Sequence, residues 1–272
     1  MAVALHVLDR QVAFESGGFR LHARCWLPAA AERIGLVCCH ALGEEKKSSH
    51  RSLVQLATRL ATQNISVFMF DYAGCGDSDG ADADGNLTRW QGNLRDAIKE
   101  LVARSAVERV ILLGVRVGAW LALQIAHEVP LVDAVILWSP VLDLPAYVRT
   151  LEMQQRLIEI TLGFAQHTLM RSAEGLDLGG LLLSSTLLGE MRAAALPAAA
   201  RPLDILCLEP GPRASASAEA AISRKQLQRA GFAIDSRTID DEPLFAQAAS
   251  PHRPALVAET VRWILERYAA NR

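Results

Sequence analysis

The chain has 272 residues, of which 51% are hydrophobic and 21% are charged, and its formal net charge is -2. This length and composition allow a sizeable core and predict one core domain with an insertion. Lysine and arginine are spread along the chain without a sustained basic stripe, which argues against nucleic acid as a partner.

The cysteines and the N-terminal residues indicate a cytoplasmic location. The five cysteines are odd in number, and Cys38 and Cys39 are adjacent in an apparent core strand, so neither a disulfide framework nor a C-x-x-C metal site is expected. The first nine residues lack a basic region followed by a cleavable apolar stretch, and no run of 18 apolar residues occurs. We therefore predict no transmembrane segment, no bound metal and no cofactor, and leave open a peripheral association with a membrane complex.

Along the chain, the first elements predict a mostly parallel sheet with an antiparallel entry. Hydrophobic and polar residues alternate over 19–27, and Gly17-Gly18 predicts a hairpin turn back to residues 12–14. Continuous apolar runs then alternate with helical patterns. The runs at 34–39, 65–70, 110–113 and 132–138 predict buried strands, and the intervening helices cover 53–60, 90–102 and the stretch up to about 127. This rhythm predicts right-handed crossovers and helices on both faces of the sheet.

The strand-helix alternation stops between residues 143 and 200. Residues 144–170 predict a largely helical segment, and residues 175–188 are rich in glycine and leucine with few charges. The alternation resumes with strands at 203–208 and 232–239 and helices at 218–229 and 257–268. We predict an α/β core made of residues 1–142 and 201–272, with residues 143–200 inserted as a helical cap. The apolar stretch 176–188 has a second interpretation, in which it docks a partner or a membrane surface.

The stretch Gly114-Val115-Arg116-Val117-Gly118 has the frame of a G-x-S-x-G nucleophile elbow, with arginine in place of serine. A guanidinium stays charged and has no lone pair for nucleophilic attack. In this frame the backbone N–H of Val117 and one from the loop after residues 34–39 would form an oxyanion hole, which could survive without a nucleophile.

Two loops at the carboxyl edge of the predicted sheet carry further candidate residues. The segment His40-Ala41-Leu42-Gly43-Glu44-Glu45 follows one strand, and Asp71-Tyr72-Ala73-Gly74-Cys75-Gly76-Asp77-Ser78 follows the next. The second segment resembles a D-x-x-G-x-G-x-S turn, in which Asp71 and Ser78 are expected to fix the loop through backbone hydrogen bonds.

These motifs resemble the α/β-hydrolases over nearly the whole chain, and more narrowly the exosortase A system-associated hydrolase, type 2 family. The narrower resemblance rests on Glu44-Glu45, residues 74–78, the arginine elbow and Leu137-Trp138-Ser139-Pro140-Val141. It implies an α/β-hydrolase fold and a link to exopolysaccharide-producing, exosortase-containing bacteria. The chain departs from that family because Pro-Phe is missing after His40 and Phe-Trp is missing at residues 243–246. If those aromatic residues line a ligand site, the site has a different shape here.

A complete serine hydrolase triad is not recognisable. Glu209 follows the strand at 203–208, where the acid is expected, but residues 240–245 contain no histidine. His252 comes about a dozen residues late and is more consistent with a surface or helix-start position. Losing both serine and histidine would abolish the usual mechanism.

Arg116 has two interpretations. It forms a salt bridge that replaces the triad, or it joins the backbone N–H groups in binding an anionic ligand. Its candidate carboxylate partners are Glu44, Glu45, Glu209 and Glu242.

Two functions are therefore considered. The first is an accessory or binding protein in an exosortase- or exopolysaccharide-linked process, with a small anionic or acyl ligand and exosortase-system proteins as partners. The alternative is a hydrolase or acyl-transfer enzyme that uses the Cys75 thiol, or a water activated by His40, Glu44 or Glu45, on an ester or thioester.

Overall fold

The computed structural model describes residues 7–161, 171–172, 175–177, 181–244 and 253–268. Its main sheet has eight strands in the order β1-β2-β4-β3-β5-β6-β10-β11. The strands of this sheet are β1 (Val7–Ser16), β2 (Phe19–Pro28), β3 (Ile34–Cys39), β4 (Ser66–Phe70), β5 (Arg109–Val115), β6 (Val132–Trp138), β10 (Asp204–Pro210) and β11 (Ile234–Ile239).

The antiparallel entry and the parallel centre of the sheet are as predicted. β1 pairs antiparallel with β2, and β2 pairs antiparallel with β4. The remaining pairs in the sheet are parallel. Gly17 and Gly18 make the tight turn between β1 and β2 with φ values of 57° and 84°, a region that favours glycine.

Helices cover both faces of the sheet. The helices are α1 (Gly43–Ala61), α2 (Leu87–Arg104), α3 (Val117–Glu128), α4 (Leu144–Thr161), α5 (Ser185–Ala193), α6 (Arg213–Arg229) and α7 (Pro254–Tyr268). Successive residues of β5 face opposite ways, so Leu112 packs with the cluster of α2 and α3 while Leu113 packs with that of α1 and α7. Because both faces are buried, the central strands are mostly apolar.

The segment predicted as a helical cap contains helices and a small sheet. After α4, strands β7 (Arg171–Ser172), β8 (Gly175–Asp177) and β9 (Leu182–Ser184) form a three-stranded antiparallel sheet, and α5 follows. Gly175 has φ 153°, and a Cβ there would collide with the backbone of Leu183, so this strand pairing depends on glycine. The predicted helix 144–170 is observed up to Thr161, and residues 162–170 lie outside the described part.

Four leucines of the stretch 176–188 are buried in the core. Leu176, Leu183, Leu187 and Leu188 are buried in the cluster that contains α2 and α3. This burial favours the interpretation in which the segment covers the core, and it argues against the one in which these leucines dock a partner or a membrane. Among the helices in the described ranges, none combines the length and hydrophobicity needed to cross a membrane.

Candidate functional site

The elbow between β5 and α3 has a strained backbone. Arg116 lies between the strand and the helix with φ 55° and ψ -118°. A non-glycine residue at such angles costs on the order of 1–3 kcal/mol, and it persists only where the surrounding packing imposes it. Gly114 and Gly118 allow this packing, because neighbouring backbone atoms occupy the space that a side chain would need. A Cβ on Gly114 would lie 2.7 Å from the Ala119 nitrogen, and one on Gly118 would lie 2.7 Å from the His40 carbonyl oxygen.

This close approach brings the N-terminus of α3 against the loop after β3. Val117 is the first residue of α3 and is fully buried. The first N–H groups of a helix have no partner within the helix. The N-terminus of α3 and the loop after β3 are therefore adjacent, and Arg116 immediately precedes this helix.

The Arg116 guanidinium is charge-paired with Glu45. Arg116 Nε donates to Glu45 Oε1 at 3.1 Å, and Arg116 Nη1 donates to the Ser139 carbonyl oxygen at 3.3 Å. The side chains of Arg116 and Glu45 are only 21% and 20% exposed, so the pair is held largely away from water. Glu45 lies in the first turn of α1, where the helix dipole also favours a carboxylate.

Tyr147 of α4 completes this cluster from the cap. Its hydroxyl donates to Glu45 Oε2 at 3.0 Å, and its ring centroid lies 5.6 Å from Arg116 Cζ, in cation–π range. Burial, and next the charge of Glu45, raise the pKa of Tyr147 well above its usual value, so the hydroxyl remains a donor. Glu45 thus receives hydrogen bonds from the elbow and from the cap.

Glu209, the acid predicted from the sequence, lies near the C-terminal end of β10. It is only 2% exposed, and its Oε1 accepts from the Ser223 hydroxyl at 3.3 Å, while Oε2 has no hydrogen-bond partner among the described residues. Burial raises the pKa of Glu209 to about 7, although the neighbouring Ser139 side chain and the charge of Arg116 lower it.

Glu209 should make the folding free energy depend on pH. A carboxyl whose pKa is raised by folding stabilises the fold fully below its ordinary pKa of 4.5, and this contribution is lost as the pH rises through about 7. We expect the difference in unfolding free energy between the native chain and Glu209→Gln to fall by about 1 kcal/mol per pH unit in this window. Urea denaturation at several pH values measures it, with exposed Glu44→Gln as the control. Parallel pH profiles for the native chain and Glu209→Gln would contradict the prediction.

Beside the elbow lies a cavity of about 330 Å³ under the cap. Its lining combines apolar side chains with lysine, histidine and acidic side chains, a mixture that suits an amphipathic small molecule. The apolar lining residues include Leu42, Trp90, Leu181, Leu182, Leu183 and Leu187, and the charged and histidine lining residues are His40, Glu44, Lys46, Lys47, His50 and Asp82. Cys75 also lines this cavity, whereas Arg116 and Glu45 are not among its described lining residues.

The sequence-predicted residues therefore lie in separate places. Arg116 and Glu45 form the elbow cluster with Tyr147, and Glu209 is buried near the end of β10 beside Ser223. His40, Glu44 and Cys75 line the cavity. Glu44 is exposed and pairs with Lys47 at 2.6 Å.

Two residues considered for the site, Glu242 and His252, come after β11 in the chain. The backbone carbonyl of Glu242 accepts from Arg253 Nε at 2.9 Å. His252 and residues 245 and 246 lie outside the described residues.

Two contacts at the elbow were missed by sequence reasoning. Tyr147 is distant in the chain from Glu45, and its position in a helical pattern gives no sign of this contact. Ser139 follows a predicted strand, and nothing in the local sequence indicates that its carbonyl oxygen accepts from Arg116. By contrast, Asp71 and Ser78 fix their loop as predicted, since Asp71 Oδ2 accepts from the Asp77 N–H and the Ser78 hydroxyl donates to the Asp71 carbonyl.

The parallel sheet, the strained elbow after β5 and the buried acid on β10 define an α/β-hydrolase fold. Residues 32–199 match the hydrolase family model described as serine aminopeptidase, S33, which covers more than half of the chain. The chain therefore belongs to this family of hydrolases. Among curated proteins, none matches it.

Solved structures share the fold at low sequence identity. Est1E from Butyrivibrio proteoclasticus with bound ferulic acid is 17% identical, with a TM-score of 0.69 over 95% of this chain and 99% of that one. An esterase domain from a Rhodothermus marinus protein is 22% identical, with a TM-score of 0.60 over 96% and 99%. The mouse alpha/beta hydrolase domain-containing protein 10 is 16% identical, with a TM-score of 0.60 over 97% and 100%. At these identities the likeness concerns the fold alone.

Proposed function

We propose that this chain is a ligand-binding α/β-hydrolase-family protein in which an ion pair has replaced serine chemistry. The observation that carries the proposal is the elbow itself. The position of the nucleophile holds a guanidinium bound to Glu45, and Tyr147 binds the same carboxylate. A group held in this way cannot attack a carbonyl carbon.

The ligand we propose is a small amphipathic molecule with an acyl or other apolar part and an anionic part. The leucines and Trp90 of the cavity would contact the apolar part, and Lys46 and Lys47 the anionic part. The process we propose is linked to exosortase or exopolysaccharide production in the cytoplasm, with proteins of that system as partners. This part rests on the sequence resemblance of the arginine elbow and its flanking motifs.

The absence of serine chemistry is tested with a fluorophosphonate probe and a panel of p-nitrophenyl esters. We expect neither labelling nor turnover by the native chain. We expect the same of Arg116→Ser, because residues 240–245, where the histidine is expected, contain none, and His252 comes too late in the chain for that position. A known serine esterase serves as the positive control. Clear labelling or turnover by the native chain would overturn the proposal, and labelling of Arg116→Ser would show that a working base is present.

The alternative function is a hydrolase that uses Cys75, and it is favoured by the position of this thiol in the cavity beside His40 and Lys46. Burial raises the pKa of Cys75 to about 12, although the charge of Lys46 lowers it. At pH 8 roughly one thiol in ten thousand would be ionised, which makes a weak nucleophile.

Thiol reactivity separates the two functions. We expect Ellman's reagent at pH 8 to modify the native chain at least about a hundredfold more slowly than the urea-unfolded chain, because the thiolate is the reacting form. Cys75 is partly exposed whereas Cys25, Cys38, Cys39 and Cys207 are buried, so fast labelling of one thiol would identify Cys75. Fast labelling that disappears in Cys75→Ala would favour the hydrolase.

A further inference from the structure

A second cavity, of about 270 Å³, contains histidine and aspartate side chains that the proposed function does not use. His22, Asp71 and Asp77 each offer one ligand atom, and these atoms lie within 4.8 Å of one another. The cavity is also lined by His40 and His50. Imidazole and carboxylate groups together are ligands for divalent first-row transition metals such as Zn²⁺.

The backbone holds the three side chains in place. The Asp71 N–H donates to the His22 carbonyl at 2.9 Å, which joins the ends of β2 and β4. The Asp77 N–H donates to Asp71 Oδ2 at 3.0 Å. Gly76 between them has φ 60°, and a Cβ there would collide with the Asp71 carboxylate, so the loop follows this carboxylate closely.

His40 supplies an independent sign of a ligand. Its Nδ1 lies 2.7 Å from the Ala41 carbonyl oxygen, and because a carbonyl only accepts, Nδ1 carries the hydrogen. With that hydrogen on Nδ1, a neutral ring presents a lone pair at Nε2. A backbone carbonyl that binds one ring nitrogen is the usual support for a histidine whose other nitrogen binds a metal.

The lone pair of His40 faces another acceptor. His40 is 5% exposed, and its Nε2 lies 3.7 Å from Asp71 Oδ1 and has no hydrogen-bond partner among the described residues. Two acceptors at this distance repel each other unless a positive species lies near both. In the structure Lys46 Nζ lies 2.6 Å from Asp71 Oδ1 and supplies the positive charge that a metal ion would replace.

We propose that His22, Asp71 and Asp77, beside the buried Nε2 of His40, form a binding site for a divalent transition-metal ion of the zinc class. The remaining cation of this cavity, Arg24, is already paired with Asp9 at 2.7 Å. Lys46 is the competitor for Asp71, so the ion displaces it. The site is separate from the Arg116 cluster, and it shares Lys46 with the ligand cavity of the proposed function.

The test uses the full chain after chelator treatment and its removal, titrated with Zn²⁺ by calorimetry and with Co²⁺ by visible absorption. We expect one ion per chain. We expect His22→Ala and Asp77→Asn to weaken binding by about tenfold or more, because each removes a ligand. Lys46→Met should tighten binding by about tenfold, because it removes the competing charge. Asp79→Asn is the control, since Asp79 lies on the same loop but accepts from the Arg20 N–H.

The absorption of the Co²⁺ form identifies the ligands. We expect d–d bands without a thiolate charge-transfer band, because the site contains nitrogen and oxygen ligands. Thermal melts of each variant without metal show whether it is folded. The absence of saturable binding, a thiolate band, or equal affinity of the native chain, His22→Ala and Lys46→Met would each overturn the proposal.

Discussion

Gly118→Ala is expected to lower the free energy of unfolding by about 3 kcal/mol or more, because the new methyl group has no space. Its Cβ would lie 2.7 Å from the His40 carbonyl oxygen and closer still to that of Cys39. Both obstacles are backbone atoms at the end of β3, where a side-chain rotation cannot relieve the clash. Urea denaturation followed by circular dichroism measures the loss.

Gly92→Ala is the matched control for this prediction. Gly92 lies within α2, and nothing stands within 4 Å of the position a Cβ would take. Alanine there should stabilise the chain by about 0.5–1 kcal/mol, because it restricts the unfolded chain and favours the helix. If the two variants changed stability alike, the elbow would not depend on the close approach of α3 to the His40 loop.

Glu45→Ala is expected to cost about 2–3 kcal/mol of stability, because it removes the carboxylate that pairs with the largely buried Arg116 guanidinium. The Tyr147 hydroxyl loses its acceptor in the same variant. Glu44→Ala is the control one residue away, since Glu44 is exposed and pairs only at the surface with Lys47, where ion pairs contribute little.

A double-mutant cycle separates the ion pair from other effects of the substitution. The combined variant Glu45→Ala with Arg116→Ala should lose less stability than the sum of the single variants, by about 1–2 kcal/mol. Alanine at position 116 keeps a side chain at φ 55°, so the backbone strain is the same in both arms of the cycle. Additive losses would show that Arg116 and Glu45 do not stabilise each other and would remove the main support for the proposed function.

The two-sided burial of the sheet is readable from sequence because it leaves a local pattern. The run 110–113 is apolar at every position, and the helices around it carry apolar residues at helical spacing, so strand and helix were predicted in the correct order. The three-stranded sheet of the cap was missed because β7 to β9 are two or three residues long. Strands this short have no measurable period, and their pairing depends on glycine geometry and on leucines buried by distant helices.

The sequence by itself determined the elbow, since two glycines around Arg116 in a strand-helix frame suffice to predict a tight turn with an arginine at its centre. It also restricted the partner of Arg116 to a few glutamates. Only the tertiary structure decided that Glu45 and Tyr147 bind in this cluster and that His40 lies beside Asp71. The physical reason is that α1, α4 and the loop after β4 come together through packing of separate elements onto one sheet edge. That packing sets the distances between side chains on such elements, and the spacing of residues along the sequence does not predict it.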